Sequence, residues 1–120
     1  MKYTTGLKKN ADFQEVYRKG KSAANRLLVL YISERDDRSS RIGISVSKKV
    51  GNSVVRHRLK RLIKESYRLN ENQFVGGLDM IFIARPGARE STFSDMESAL
   101  LHLMRKMKLI RDEEESERTS

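Results

Sequence analysis

Apolar residues recur three and four positions apart in three segments of the chain, and this spacing predicts three helices. They cover residues 11–19, residues 53–69 and a segment that starts near residue 94. In the first helix Phe13, Val16 and Tyr17 share one face. Each helix follows a residue whose side chain can accept a hydrogen bond from the first turn. The expected N-caps are Asn10, then Asn52 or Ser53, then Ser94 in a capping-box pattern with Glu97.

Strand patterns occupy the stretches between these helices. NRLLVLYISE and LDMIFIARP are nearly continuous apolar runs, and the second has the length of a strand buried on both faces. RIGISVSKK alternates, so Ile42, Ile44 and Val46 point one way and the residues between them point the other way. A short strand is also expected around residues 21–24. The order is therefore helix, two or three strands, helix, strand, helix, and one sheet with helices packed against it buries these faces.

Composition limits the class of protein and its partners. The 120 residues fit one domain, and no cysteine is present for a disulfide, a thiolate zinc site or a nucleophile. A net charge of +9 and a pI of about 10.0 favour a polyanionic partner. We predict a domain over residues 1–110 and an acidic, disordered tail over residues 111–120. The sequence contains neither a membrane-spanning run nor a signal peptide, so we expect a cytoplasmic protein with no membrane partner.

The second predicted helix concentrates positive charge on one side. A projection at about 100° per residue gives an apolar side formed by Val55, Leu59, Leu62, Ile63, Ser66 and Leu69. The opposite side and its flanks hold Arg56, His57, Arg58, Lys60, Arg61, Lys64 and Arg68. Glu65 is the one acid among these cations, and solvated helix faces usually mix signs because like charges repel. This pattern favours a nucleic-acid surface over an ordinary solvated face, and the helix N-terminus beside Lys48 and Lys49 suits phosphate.

The stretch SVSKKVGNSVVRHRLKRLIKESYR strongly resembles the signature of the bacterial ribonuclease P protein subunit. KKNADFQEVYRKG, SAANRLLVLY and DMIFIARP agree with that family in the same order, and the likeness extends over residues 6–109. The resemblance implies a single-domain α-β sandwich ordered αβββαβα, similar to ribosomal protein domains, with one central sheet. It also implies a left-handed βαβ crossover, which the residues themselves do not indicate because such crossovers are right-handed in about 98% of cases.

The resemblance further implies that the second helix and the loop before it bind the RNA subunit of ribonuclease P. The family signature Arg-Asn-Arg is matched here by Arg56, His57 and Arg58. Histidine keeps the electrostatic role but removes any contact that needs the asparagine amide. The implied RNA-subunit-binding residues are Arg56, His57, Arg58, Lys60, Arg61, Lys64 and Arg68. Neutralising Arg58 or Lys60 is then expected to weaken this binding and reduce its salt dependence.

A second surface implied by the resemblance is a cleft on the sheet that holds the 5′ leader of precursor tRNA. Aromatic rings in such a cleft can stack on bases without sequence preference, and the small residues Gly43, Ser45 and Ser47 would leave room for a nucleic-acid strand. Ordinary core packing is the alternative reading for Phe13 and Tyr17. The positions that match the cleft are Phe13, Tyr17, Tyr31, Ser47, Lys48, Lys49 and Arg85.

The sequence contains no recognisable catalytic motif. HExxH, Walker and GxSxG patterns are absent, and neither His57 nor His102 has an obvious carboxylate partner. The resemblance implies that the RNA subunit, with bound magnesium, hydrolyses the phosphodiester, while this chain supplies no catalytic residue, metal ligand or cofactor. It would act as a monomer within a protein–RNA holoenzyme. The alternatives are a structural RNA-binding protein of ribosomal type, a protein-only nuclease and a DNA-binding helix.

Overall fold

The computed structural model describes residues 4–111, which form five strands and three helices. The strands are β1 (Thr4–Gly6), β2 (Lys21–Ala24), β3 (Leu28–Glu34), β4 (Ser40–Ser45) and β5 (Leu78–Ala84). The helices are α1 (Asn10–Lys19), α2 (Ser53–Asn70) and α3 (Phe93–Lys106), with single 3₁₀ turns after α2 and β5. The predicted order αβββαβα is confirmed from α1 onward, and β1 is an addition. Residues 112–120 of the predicted tail lie outside the described residues.

The five strands form one mixed sheet in the order β1-β4-β5-β3-β2. The central strand β5 runs parallel to β4 and antiparallel to β3. All of its residues except Ile83 are buried, which confirms the prediction of burial on both faces. β4 and β5 are neighbouring parallel strands joined through α2, so they form the expected βαβ unit. The left-handed turn of that crossover stays a prediction.

Helices cover both faces of the sheet. α2 and α3 pack on one face over the larger core, whereas α1 packs on the other face over Leu7, Val16 and Ile81. The alternation predicted for β4 is confirmed, since Ile42 and Ile44 belong to the larger core and Gly43 faces α1. Side chains buried to below 2% exposure fill the larger core: Leu28, Leu30, Leu59, Ile63, Tyr67, Met80, Phe82, Met96, Leu100, Leu103 and Met104.

α2 begins as predicted but turns a slightly different face to the core. The Asn52 side chain accepts a hydrogen bond from the backbone N–H of Val55 at 3.0 Å, which confirms one of the two expected caps. The placement of Leu69 in the apolar face is wrong, because its side chain is 51% exposed. Tyr67 is buried instead, with its hydroxyl 3.0 Å from Oγ1 of Thr4. Burial raises the pKa of Tyr67 to about 12, so this hydroxyl stays protonated at neutral pH.

The predicted caps of the other two helices are wrong. α1 already includes Asn10, and Lys9 precedes it without a side-chain hydrogen bond. α3 starts earlier than predicted because Thr92 and Asp95 form the capping box, with reciprocal hydrogen bonds of 3.0 and 3.1 Å. The Ser94 pattern has the same spacing two residues later, and a single sequence does not distinguish two overlapping boxes.

Candidate nucleic-acid interface

The carboxyl ends of β4 and β5 lie side by side and bring several predicted residues to one end of the sheet. Ser45 pairs with Ile83 in the parallel ladder, so the chain leaves both strands at the same level. The N-terminus of α2 lies just beyond this end, after the turn that follows β4. The prediction that two lysines end the strand is wrong, because β4 stops at Ser45 and they lie in that turn. The predicted residues beyond the two strand ends are Ser47, Lys48, Lys49 and Arg85.

Three aromatic side chains gather between α1 and the sheet. The ring of Tyr17 lies 6.4 Å from that of Phe13 and 5.1 Å, edge-on, from that of Tyr31. All three rings are partly exposed, so they belong to a surface as well as to the smaller core. Burial, followed by the nearby Tyr31, raises the pKa of Tyr17. Gly43 makes room for one of these rings rather than for nucleic acid, since a Cβ there would lie 2.5 Å from Cζ of Phe13.

An uncovered strip of the sheet lies beside α1. Paired residues that include Tyr31 and Gly43 form a row across the strands, and this row lies under α1. The next row on the same face lies nearer the carboxyl ends of β4 and β5, and its residues are exposed or partly exposed. The open row consists of Ala24, Val29, Ile83 and Ser45. This partly exposed surface, called the cleft below, has aromatic rings of α1 on one side, mostly apolar residues along the sheet and basic residues at one end. Sequence reasoning missed Val29 and Ile83, because period-two alternation gives the face of each strand but not the register between strands.

Arg85 is held at the end of this cleft by the loop between β2 and β3. Its Nη1 donates to the carbonyl of Asn25 and its backbone N–H donates to the carbonyl of Leu27, both at 2.8 Å. The Asn25 side chain in turn accepts hydrogen bonds from the N–H groups of Leu27 and Leu28 and donates to the carbonyl of Ala99 in α3. The guanidinium is therefore exposed but fixed in place.

Most of the predicted cations of α2 carry no partner within the part of the chain that the structure describes. Lys60, Arg61 and Lys64 are exposed and make no hydrogen bond or salt bridge through their side chains to residues 4–111. His57 is also exposed and Arg56 is half-buried, again without a side-chain partner among those residues. Their charge is available to an external ligand.

Two of the predicted residues of α2 do have partners. Nη1 of Arg58 donates to the carbonyl of Ser91 at 2.8 Å, and its Nη2 donates to the carbonyl of Arg89 at 2.9 Å. Arg68 pairs with Glu65 one turn earlier, with Nε 3.0 Å from Oε2. Hydrogen bonding from Arg68 lowers the pKa of Glu65, so this pair stays ionised at neutral pH. The basic surface is thus neutralised at one point, near the end of α2.

A largely buried ion network anchors α1 beside the cleft. Asp79 of β5 accepts hydrogen bonds from Nε and Nη2 of Arg41, each at 2.7 Å, and from Nη1 of Arg35 at 3.0 Å. Arg41 also reaches Asp12 in the first turn of α1 at 3.3 Å. Burial alone would raise the pKa of Asp79, but the hydrogen bonds from the two guanidinium groups outweigh it and hold that pKa below its ordinary value.

Residues 4–111 contain neither a membrane-spanning helix nor a cluster of metal ligands. No helix there combines the length and the apolarity that crossing a membrane requires. The same residues bring together no group of three or more histidine and acidic side chains able to hold a metal ion. Nδ1 of His102 lies 3.1 Å from the Asn25 amide nitrogen, at the side of α3.

Comparison with known proteins gives a consistent family. Residues 1–108 match the family model described as ribonuclease P. The chain is 60% identical over 110 residues to the ribonuclease P protein component of Alkaliphilus metalliredigens, which covers 92% of this chain and 99% of that protein. It is 48% identical over 104 residues to the corresponding protein of Clostridioides difficile, covering 86% and 91% of the two chains.

Solved structures show the same fold. The RNase P protein of Staphylococcus aureus superposes with a TM-score of 0.82 at 39% identity, over 88% of this chain and 97% of that one. The RNase P protein from Thermotoga maritima gives a TM-score of 0.78 at 29% identity, over 83% and 94%. The α/β architecture and the order of elements are therefore shared with these proteins.

Proposed function

Because this chain belongs to the ribonuclease P protein family, and is thus a component of an enzyme of tRNA processing, we propose that it binds two RNA ligands. One is the catalytic RNA subunit, held on α2 and the turn before it. The other is the 5′ leader of precursor tRNA, held in the cleft between α1 and the sheet. By holding both, the protein assists the RNA subunit in removing the leader.

The observation that carries this proposal is the set of partnerless cations on α2. Lys60, Arg61 and Lys64 are exposed, and within residues 4–111 no acid neutralises them. Binding to phosphates would release condensed counterions and relieve the repulsion between these side chains. Arg56, His57 and Arg68 extend the same surface. The N-terminus of α2, which presents free backbone N–H groups next to Lys48 and Lys49, supplies further phosphate sites.

The cleft suits a single strand of RNA. The rings of Tyr17 and Phe13 line one side of it, and Val29 and Ile83 form an apolar floor. Cations lie beyond the carboxyl ends of β4 and β5. Stacking on such rings is sequence-tolerant because every base has a π-face. The leader-binding residues in this proposal are Phe13, Tyr17, Tyr31, Ser47, Lys48, Lys49 and Arg85.

The chemistry is assigned to the RNA subunit and its bound magnesium. The side chains of the two proposed surfaces are mainly cations, aromatic rings and apolar residues, and the one acid among the cations, Glu65, pairs with Arg68. These groups suit phosphate and base contacts better than coordination of a magnesium ion, which prefers oxygen ligands. The protein would therefore supply affinity and position rather than a catalytic residue. We propose that it does so as a cytoplasmic monomer within the protein–RNA holoenzyme.

Reconstitution tests the function directly. Adding the full chain to a bacterial ribonuclease P RNA at low magnesium is expected to increase cleavage of precursor tRNA at the 5′ end of the mature sequence, as resolved on a denaturing gel. The protein without RNA is expected to leave the substrate intact. Cleavage by the protein alone would instead indicate a protein-only nuclease. An RNA whose activity is indifferent to the protein would favour a structural protein of ribosomal type.

Replacing Tyr17 with alanine is expected to weaken binding of leader-bearing precursor tRNA by the reconstituted holoenzyme. The loss should be about 1–3 kcal/mol, because one stacking surface for a base disappears. Binding of mature tRNA, which lacks the leader, should change little. Tyr17→Phe is the matched control, since it keeps the ring, and it should retain the preference for the leader. Equal losses on both RNAs would argue that Tyr17 serves packing alone.

A further inference from the structure

Arg58 differs from its neighbours on α2 in what its guanidinium contacts. Two of its N–H groups are directed to the backbone carbonyls of Ser91 and Arg89, at 2.8 and 2.9 Å. Lys60, two residues further along α2, is exposed and has no side-chain partner among residues 4–111. Arg58 therefore links α2 to the segment between β5 and α3, which begins at Arg85.

This segment, residues 85–92, is a succession of hydrogen-bonded turns. The backbone N–H groups of Ala88, Arg89 and Ser91 donate to the carbonyls three residues earlier, at 2.8, 3.2 and 3.0 Å. Ala88 is fully buried, and Ser91 is nearly so. These bonds follow one another along the segment, so its two ends are joined by a continuous run of local hydrogen bonds.

The two ends of the segment are tied to different parts of the molecule. At the first end Arg85 donates to Asn25, in the loop that borders the cleft. At the other end, the side chain of Arg58 in α2 donates hydrogen bonds to the carbonyls of Arg89 and Ser91. The path from the basic surface of α2 to the end of the cleft therefore runs through Arg58, the turns and Arg85.

We infer that Arg58 is a positioning residue, which sets the spacing between the RNA-subunit surface on α2 and the leader cleft through segment 85–92. This inference rests on the proposed function of the two surfaces. It departs from the expectation that both arginines of the Arg56-His57-Arg58 signature bind phosphate. A planar guanidinium can bond two carbonyls at once because its donors form a fixed fork, and an ammonium group lacks that geometry.

Arg58→Lys provides the sharpest test, because it keeps the charge and removes the fork. If Arg58 were a phosphate ligand, lysine would preserve most of the affinity and the salt slope. If it positions segment 85–92, Arg58→Lys in the reconstituted holoenzyme should reduce the preference for leader-bearing over mature tRNA by at least about threefold. The slope of log K against log salt concentration for RNA-subunit binding should stay within about 0.3 of wild type.

Lys60→Gln is the matched comparison on the same helix. It should reduce that slope by about one and leave the preference for the leader unchanged, as expected of a phosphate contact. A reduced slope in Arg58→Lys, or an unaltered leader preference, would overturn the inference. Urea denaturation of each variant checks whether folding is retained. A loss of stability without a loss of leader preference would also count against the inference.

A double-mutant cycle tests the proposed path. Arg58→Lys is expected to have less effect on leader preference when Arg85→Gln is already present. The second change removes the guanidinium that bonds segment 85–92 to the carbonyl of Asn25, so a shift of the segment no longer affects that loop. Additive effects of the two changes would overturn the path. If the wild-type holoenzyme itself shows no preference for leader-bearing substrate, the proposed function fails, and that outcome is distinct from a failure of Arg58→Lys to change an existing preference.

Discussion

Replacing Asp79 with alanine is expected to lower the free energy of unfolding by about 3–5 kcal/mol. The carboxylate side chain is 12% exposed and receives three hydrogen bonds from Arg35 and Arg41. Removing it leaves two guanidinium groups close together in a largely buried place, with only the longer and more exposed pairs to Asp12 and Asp37 as counter-charges. The residues of β5, the central strand, are buried on both faces except for Ile83, so relaxation of the site is limited.

The measurement is urea denaturation followed by circular dichroism, with Asp37→Ala as the control. Asp37 also pairs with Arg35, at 3.4 Å, but it is largely exposed, so its loss should destabilise the protein much less than the loss of Asp79. Asp79→Asn should fall between the two, because it keeps the shape but not the charge. Similar stability for the Asp79→Ala and Asp37→Ala proteins would contradict the assignment of Asp79 as the anchor of the network.

The contribution of Asp79 should also depend on pH in a defined direction. Its pKa is lowered in the folded protein from an ordinary value of 3.8. A lowered pKa means that the stabilisation is fully present above pH 3.8 and is lost as the pH falls toward the folded pKa. The difference in stability between wild type and Asp79→Ala should therefore be constant from neutral to mildly acidic pH and shrink below that value. A difference that grew on acidification would have the wrong sign.

The elements that sequence could predict are those with a strong local pattern. The uninterrupted apolar run of β5 indicated burial on both faces, and the alternation in β4 separated Ile42 and Ile44 from Gly43 correctly. β1 was missed because Thr4–Gly6 is three residues long and has no apolar pattern. It exists because its backbone pairs with β4, which is a tertiary effect. Leu69 was misplaced for a related reason, since the hydroxyl of Tyr67 finds a buried partner in β1.

The candidate site was predictable where charge or aromatic character defines it. Lys60 and Lys64 were placed on the exposed side of α2 from the helical period alone. The bonds of Arg58 and Arg85 to backbone carbonyls were not foreseeable, because any sequence position supplies a carbonyl and only the fold decides which one is near. The role of Gly43 was misjudged in the same way, since the ring that occupies its space comes from α1, thirty residues earlier in the chain.

Neutralising Lys60, Arg61 and Lys64 together, each to glutamine, is expected to weaken binding to a bacterial ribonuclease P RNA by roughly 50- to 200-fold at about 0.15 M salt. Each phosphate contact contributes about 0.7–0.9 to the slope of log K against log salt concentration, so the slope should fall by about 2–2.7. Filter-binding titrations at several salt concentrations measure both quantities. Folding should be unaffected, because these three side chains are exposed and lack partners in residues 4–111.

A control variant with the same loss of formal charge separates local contacts from the overall field. Arg38, Arg105 and Lys106 are exposed and lie on the turn after β3 and at the end of α3. Changing these three to glutamine should alter affinity far less, because charges more than about 8 Å from the bound phosphates are largely screened at this salt concentration. If both triple variants lost affinity and slope equally, net charge rather than the exposed side of α2 would account for RNA binding, and the proposed RNA-subunit surface would have to be abandoned.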